Sequence, residues 1–494
     1  MTDFSRRRFL QATTLLAASA PLGGCVTRAG RPTPMDAVAM ADAVRTGKTT
    51  ASALVEAAIT RLEKVNPQIN AVAYPNFDRA RAAAAANPSG PLGGVPTVIK
   101  DITPQAGLPF TQGSRAFRDR IAERTAPYLE AVEQSGVVSI GRSTTPEFGL
   151  TATTEPLLTG PSRNPWNLAH STGGSSGGSA AVVAAGVVPI AHATDGGGSI
   201  RIPASANGLV GLKPSRGRMA GSANDKDVTA VSVGNCVSRT VRDTAAWFAA
   251  TEATGAEARF APVGVVAGSS GRRLRIGMHL ARGDGSLPHA DVQNVFSNAS
   301  LLLQRLGHRL RDQPLPFDGA KSADAFNTLW GAGAARNIQE AAKHLGRAPG
   351  QDDIEPLTFG MAAVARKAGE AGVRSAIAAL TEVANRYNAQ FDAIDVYMTP
   401  VLALPPVPIG FLSTTQPYET QAERLMSYVA YTPIENVAGA PSIALPMGKS
   451  RDGLPIGIQF ATKPGGERIL LELAFELERE LEWYRETPPL WIGA

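Results

Sequence analysis

Three stretches of this 494-residue sequence bring together residue types that can activate a hydroxyl group. Lys100 ends the apolar run Val95-Pro96-Thr97-Val98-Ile99 and is followed by Asp101. A glycine- and serine-rich tract comes later, Gly173-Gly174-Ser175-Ser176-Gly177-Gly178-Ser179. Beyond an apolar interval lies Asp195-Gly196-Gly197-Gly198-Ser199-Ile200-Arg201-Ile202-Pro203. A serine hydroxyl is a poor nucleophile until a base takes its proton during attack. Lysine serves as that base only when neutral, and at a free pKa of ~10.4 it is almost wholly charged at pH 7. The end of a buried apolar strand disfavours the ammonium form and pushes that pKa down. Consecutive glycines meet a second need of acyl transfer, because amides without a neighbouring Cβ can turn inward toward a developing oxyanion.

Other chemistries fit less of this pattern. A flexible linker would not alternate with the strongly apolar Ala180 to Ala191, which must be buried. A Walker loop needs a lysine after its glycines, and the tract contains neither that lysine nor GxGxxG spacing. Gly173 to Gly177 does satisfy GxSxG, the nucleophile elbow, which calls for an acid and then a histidine downstream. His192, His279, His289, His308 and His344 are available, but none lies in a Gly/Asp-flanked loop near the C-terminus. A Ser-His-Asp esterase therefore stays open as an alternative with an incomplete set. The histidines and the two cysteines, Cys25 and Cys236, form no HExxH or CxxC spacing, so neither a metal nor a cofactor is expected.

The surrounding elements must bury the lysine strand and both loops. Apolar spacing predicts a helix from Asp36 to Gly47, then one with Leu54, Ala58, Leu62 and Val65 on one face that closes at Pro67. An alanine-rich helix is expected from Phe77 to Ala86 and another around Tyr128 to Gln134. Strands are expected at Val95 to Ile99 and Val137 to Ile140. This β-α alternation argues for an α/β sheet with helices on its faces. Further on, Leu274 to Gly277 and Asp395 to Met398 read as strands and Val292 to Leu306 as a helix. Arg451-Asp452-Gly453 reads as the turn of a hairpin. A closing helix aligns Leu470, Leu473, Ala474, Leu477 and Leu481. No repeat and no long linker divides the body, so residues 36–494 read as one domain with a helical insertion at about 255–395.

The whole constellation resembles the amidase signature family. Gly94 to Asp101 looks like that family's catalytic-lysine strand, Gly173 to Ser179 like its serine-rich loop and Asp195 to Pro203 like its nucleophile loop. The 24-residue interval from Ser175 to Ser199 is the family's own, and Asn164-Pro165-Trp166, Gly208 to Pro214, Asn436, Gly439 and Pro441 match as well. The resemblance spans about Asp36 to Leu490. It implies an amidase-signature fold, a central mixed β-sheet covered by helices on both faces. It also implies hydrolysis of a carboxamide to acid and amine through an acyl-enzyme, with Lys100 as base, Ser175 as a bridging serine held by a cis peptide and Ser199 as nucleophile. A hydroxyl both donates and accepts, so Ser175 can relay a proton between the other two. The oxyanion hole falls to the amides of Gly196, Gly197, Gly198 and Ser199. Ser176, Asp195 and Arg201 take supporting roles. One departure is Gly196, where the family usually bears a side chain. Within the family, Thr154-Glu155-Pro156, Arg163 to Leu168 and Gly173 to Ser179 look most like the 6-aminohexanoate-cyclic-dimer hydrolase branch. An exported solute-binding lipoprotein on a catalytically inactive scaffold of this kind is the reading from another class.

The N-terminus is an address. Ser5-Arg6-Arg7-Arg8-Phe9-Leu10 followed by a short apolar run resembles a twin-arginine signal, too short to span a membrane. Leu22-Gly23-Gly24-Cys25 resembles a lipobox, while Ala18-Ser19-Ala20 offers an ordinary cleavage site. Residues 1–25 then form the signal and 26–35 a tether. The expected location is periplasmic or membrane-anchored on the outer side of the inner membrane, with Cys25 as the lipid anchor in the second case. The net charge of +5 gives no sign of nucleic acid binding. The expected partners are a small-molecule amide and, for assembly, a second copy in a homodimer.

Overall fold

Along the strand Ser442–Lys449, Ile443 and Leu445 bury themselves on one side and Ala444 on the other. A strand buried on both faces requires helices on both faces of its sheet. The computed structural model describes residues 35–493. The arginine signal, Cys25 and the tether through residue 34 lie outside the described residues.

Eight strands make the main sheet, in the order Arg309–Asp312, Arg275–Met278, Val396–Pro400, Pro455–Ala461, Ser442–Lys449, Val210–Lys213, Val233–Ser238 and Ile190–Asp195. The first three pair in parallel and the remainder antiparallel, giving the expected mixed sheet. The helices Val241–Thr251, Ala290–Arg305 and Glu467–Leu481 cover one face through Phe248, Val292, Leu470 and Leu477. The buried helices Gly177–Ala184 and Arg201–Asn207 cover the other.

A second sheet of Val72–Pro75, Val138–Ser143 and Pro96–Lys100 lies against the edge strand Ile190–Asp195. Side chains make this seam. Thr97 Oγ1 donates to the Ile190 carbonyl at 2.9 Å, and the Lys100 amide donates to His192 Nδ1 at 3.2 Å. Both bonds are buried; the first satisfies a free carbonyl of the edge strand and the second the Lys100 amide of the facing strand, without a continuous ladder.

Three expectations need correction. Pro67 does not end its helix, which runs from Ala51 to Ile69 and closes on Asn70 in the left-handed conformation. A proline in the last turn forfeits a single intrahelical bond there. Leu481 is exposed although the other members of its stripe are buried, because the helix ends at that residue. The middle region is also more than a helical insertion. Arg275–Met278 and Arg309–Asp312 extend the main sheet, and only the paired helices Gly319–Leu345 and Pro356–Ala389 stand apart from it. Short polar strands such as Arg309–Asp312 are made by their neighbours rather than by their own pattern.

The seam yields a first expectation. Thr97→Val keeps the shape but leaves the Ile190 carbonyl unpaired, and the urea unfolding free energy should drop by about 1–3 kcal/mol.

Candidate active site

Lys100 is the last residue of a strand in which all five residues are buried. Its Nζ donates to Ser175 Oγ at 2.6 Å and to Thr194 Oγ1 at 2.9 Å. No carboxylate pairs with it among the described residues. Burial disfavours the ammonium and, against the opposing pull of the Asp195 charge, brings the Lys100 pKa from 10.5 down to about 7. That is the perturbation a lysine base needs near neutral pH.

Ser175 follows a cis peptide from Gly174, as the resemblance implied. The Thr153 backbone presses on Gly174 so closely that an added Cβ would stand 2.6 Å from its carbonyl oxygen. Ser176 bonds to the backbone of Thr194. Its Oγ donates to the Thr194 carbonyl at 3.2 Å and accepts from the Thr194 amide at 3.3 Å. It thus pairs with the free backbone edge of the sheet strand and fixes the serine loop beside Asp195.

Asp195 ends that strand with its side chain fully buried. Oδ1 accepts from the Gly198 amide at 2.8 Å and Asn436 Nδ2 at 2.9 Å, and Oδ2 accepts from Arg201 Nε at 3.0 Å. Burial works to raise its pKa. The Arg201 charge and hydrogen bonds, the Lys213 charge and the Asn436 amide outweigh this and hold the carboxyl below the usual carboxylate range. Arg201 in turn donates to Glu435 Oε2 at 2.7 Å, Gln459 Oε1 at 2.8 Å, Asn436 Oδ1 at 2.7 Å and the Thr432 carbonyl at 2.8 Å. A buried guanidinium is tolerable only when its donors are used in this way.

The glycine loop rests on this network. Gly198 has φ 129°, a conformation that favours glycine. The Gly198 amide, expected among the oxyanion donors, is instead committed to Asp195, because the carboxylate lies beneath the loop. The amides of Gly196, Gly197 and Ser199 donate to no acceptor among the described residues. Ser199 Oγ likewise has no hydrogen-bond partner among them. Ser199 lines a cavity of about 90 Å³ together with Gly149, Gly174 and Gly197. Ser175 Oγ lies just behind Gly149, 3.1 Å from where a Cβ on that glycine would stand.

Lys100, Ser175 and Asp195, with Ser176, Gly196 to Ser199 and Arg201, therefore gather at one end of the sheet. No histidine bonds to Ser175 or Ser199 among the described residues. His192 is occupied at the seam, where burial and the neighbouring Arg142 and Lys100 charges keep it neutral. Thr194, Thr432, Glu435 and Gln459 escaped the sequence reading. Thr194 had a local signal, since it precedes Asp195 in the strand by one residue. The others come from distant segments and had none.

Comparison with known proteins shows the family. The Amidase family model matches residues 53–471. AmiC of Mycobacterium tuberculosis, named as an amidase, is 41% identical over 460 residues, covering 92% of this chain and 96% of that protein. The 6-aminohexanoate-cyclic-dimer hydrolase of Paenarthrobacter ureafaciens is 33% identical, with 92% and 96% coverage. A solved structure of 6-aminohexanoate cyclic dimer hydrolase with its substrate superposes with a TM-score of 0.84 at 32% identity, covering 93% of this chain and 99% of that one. A bacterial aryl acylamidase gives 0.81 at 27% identity, with 93% and 99% coverage. This chain belongs to the amidase signature family. It is a hydrolase that acts on carbon–nitrogen bonds other than peptide bonds.

Arg201→Met strands two buried carboxylates, Asp195 and Glu435. Urea unfolding should register a loss of about 3–5 kcal/mol, far above the effect of an exposed arginine such as Arg45→Met.

Proposed function

We propose that the protein hydrolyses carboxamides through an acyl-enzyme on Ser199, with Ser175 passing the proton between Ser199 and a neutral Lys100. The supporting observation is the buried 2.6 Å contact between Lys100 Nζ and Ser175 Oγ. It joins an amine without a counter-ion to a hydroxyl able to donate and accept at once. In the first half-reaction Ser199 Oγ attacks the amide carbon while its proton moves to Ser175 Oγ and the Ser175 proton moves to Lys100 Nζ. The tetrahedral oxyanion is met by the amides of Gly196, Gly197 and Ser199. Collapse breaks the carbon–nitrogen bond, and the proton returns from Lys100 through Ser175 to the departing amine. Water then repeats the sequence in the second half-reaction, releasing the acid and restoring Ser199. Ser175 and Ser199 share no hydrogen bond among the described residues, and catalytic bonds of this kind commonly tighten when substrate is bound.

The Ser5 to Leu10 run supports export of the folded enzyme by the twin-arginine route, with retention at the membrane if Cys25 is lipidated. Fractionation of cells producing the full chain and its Cys25→Ala variant distinguishes an anchored enzyme from a free periplasmic one.

Two measurements test the chemistry. A fluorophosphonate label should modify Ser199, and Ser199→Ala should lose both label and turnover. Label on Ser175 alone would favour the nucleophile-elbow reading, and ligand retention without label would favour a binding protein. The base must be uncharged to act, so kcat/KM for an uncharged amide should rise as pH passes upward through about 7 and then level off. Lys100→Met should lower kcat by about 10²–10⁴-fold without lowering Tm at pH 7, since it removes a buried group whose charged form the fold disfavours.

A further inference from the structure

The position after Asp195 carries no side chain, and the room it leaves is filled from a distant helix. A Cβ built on Gly196 would stand 3.2 Å from Cη2 and 3.4 Å from Cζ3 of Trp330, and one on Gly197 would stand 3.3 Å from Cζ of Phe326. Phe326 and Trp330 are four residues apart on the helix Gly319–Leu345, so they share a face. Their rings stack with centroids 5.3 Å apart and planes at 23°. Trp330 Nε1 donates to the Leu150 carbonyl at 3.2 Å. That bond ties the indole to the segment next to Gly149, behind which Ser175 lies.

This aromatic wall lines one side of the cavity of about 90 Å³ that Ser199 also lines. The rest of the lining includes Ile202, Met361, Leu425 and Val429, and no charged side chain among the described residues takes part. A charged group placed there would lose its hydration and meet no counter-ion. Beyond Phe326, Asn327, Met426, Val429 and Pro433, which line both spaces, opens a larger chamber of about 270 Å³. That chamber is different in character, with His279, Arg282, Asp284 and Asp324 in its lining.

We propose that the stacked Phe326–Trp330 pair, seated in the room left by Gly196, is the specificity element of this amidase and selects carboxamides whose acyl group is uncharged and apolar. The proposal rests on the acyl-enzyme reading above. The acyl group stays bonded to Ser199 Oγ after the amine departs, so it occupies the cavity in contact with Ser199 through both half-reactions. The amine leaves by way of the larger, polar chamber. Gly196 and Trp330 are then two halves of one device, since a side chain at 196 and the indole compete for the same space.

A series of 4-nitroanilides with one leaving group and different acyl groups tests this. Phenylacetyl and hexanoyl anilides should exceed the 6-aminohexanoyl and succinyl anilides in kcat/KM by at least about 100-fold. Trp330→Ala should shrink that ratio by about tenfold or more. Gly196→Ala alone should slow turnover of the neutral substrates, and Gly196→Ala with Trp330→Ala should recover part of that loss. Such coupling is not expected of two independent sites, whose effects would add. Equal turnover of charged and neutral acyl groups, or additive effects of the two substitutions, would overturn the proposal. Fluorophosphonate labelling separates the two levels. If Ser199 is not labelled, the catalytic reading fails. If Ser199 is labelled but the anilides show no selectivity or no turnover, the acyl-pocket assignment fails alone.

Discussion

A lysine amine removed from water and given only hydroxyl partners is the constraint around which this molecule is organised. Lys100 Nζ meets Ser175 and Thr194, and its pKa falls to about 7 because burial outweighs the attraction of Asp195. Direct pairing with a carboxylate would restore the ammonium and disable it as a base. The carboxylate near enough to do so is fully engaged elsewhere. Asp195 accepts from Arg201, Asn436 and the Gly198 amide, and Arg201 is balanced by Glu435 as well. The buried ion network thus shapes the loop and also absorbs a negative charge that would otherwise oppose the base.

The same economy of partners appears at the seam between the two sheets. The Thr97 and Ser176 side chains satisfy edge groups of Ile190–Asp195, and the His192 side chain accepts from the Lys100 amide. The strand end bearing Lys100 and the loop bearing Ser175 are thereby brought to the strand end where Asp195 introduces Ser199. His192 illustrates how misleading residue type can be. It stands three residues before Asp195 in sequence, yet it is neutral, buried and structural.

The parts of the fold that were readable in advance are those with a strong local pattern. The lysine strand, the alanine-rich helix at Phe77–Ala85, the hairpin strands Ser442–Lys449 and Pro455–Ala461 and the buried run after Ser176 all carry apolar periodicity or turn residues that leave little choice. The polar edge strand Arg309–Asp312 has no such pattern and exists because Arg275–Met278 offers it a ladder. Helix continuation through Pro67 depended on the packing of Val65 and Ile69, both buried, which a proline rule does not see.

What the amino-acid order determined by itself was the chemistry on offer: a lysine ending an apolar strand, two serine loops 24 residues apart and glycines where amides must turn. Those are short-range facts, written in residue type and spacing. Only the tertiary structure decided which amides remain free, since the Gly198 amide is claimed by a carboxylate three residues back. It alone supplied Glu435, Gln459 and Thr432 as the frame of Arg201, and Trp330 as the wall over Gly196. These contacts join segments more than a hundred residues apart, and no local propensity specifies a partner at that distance. It is set by which buried polar groups and which gaps the packed core leaves to be filled.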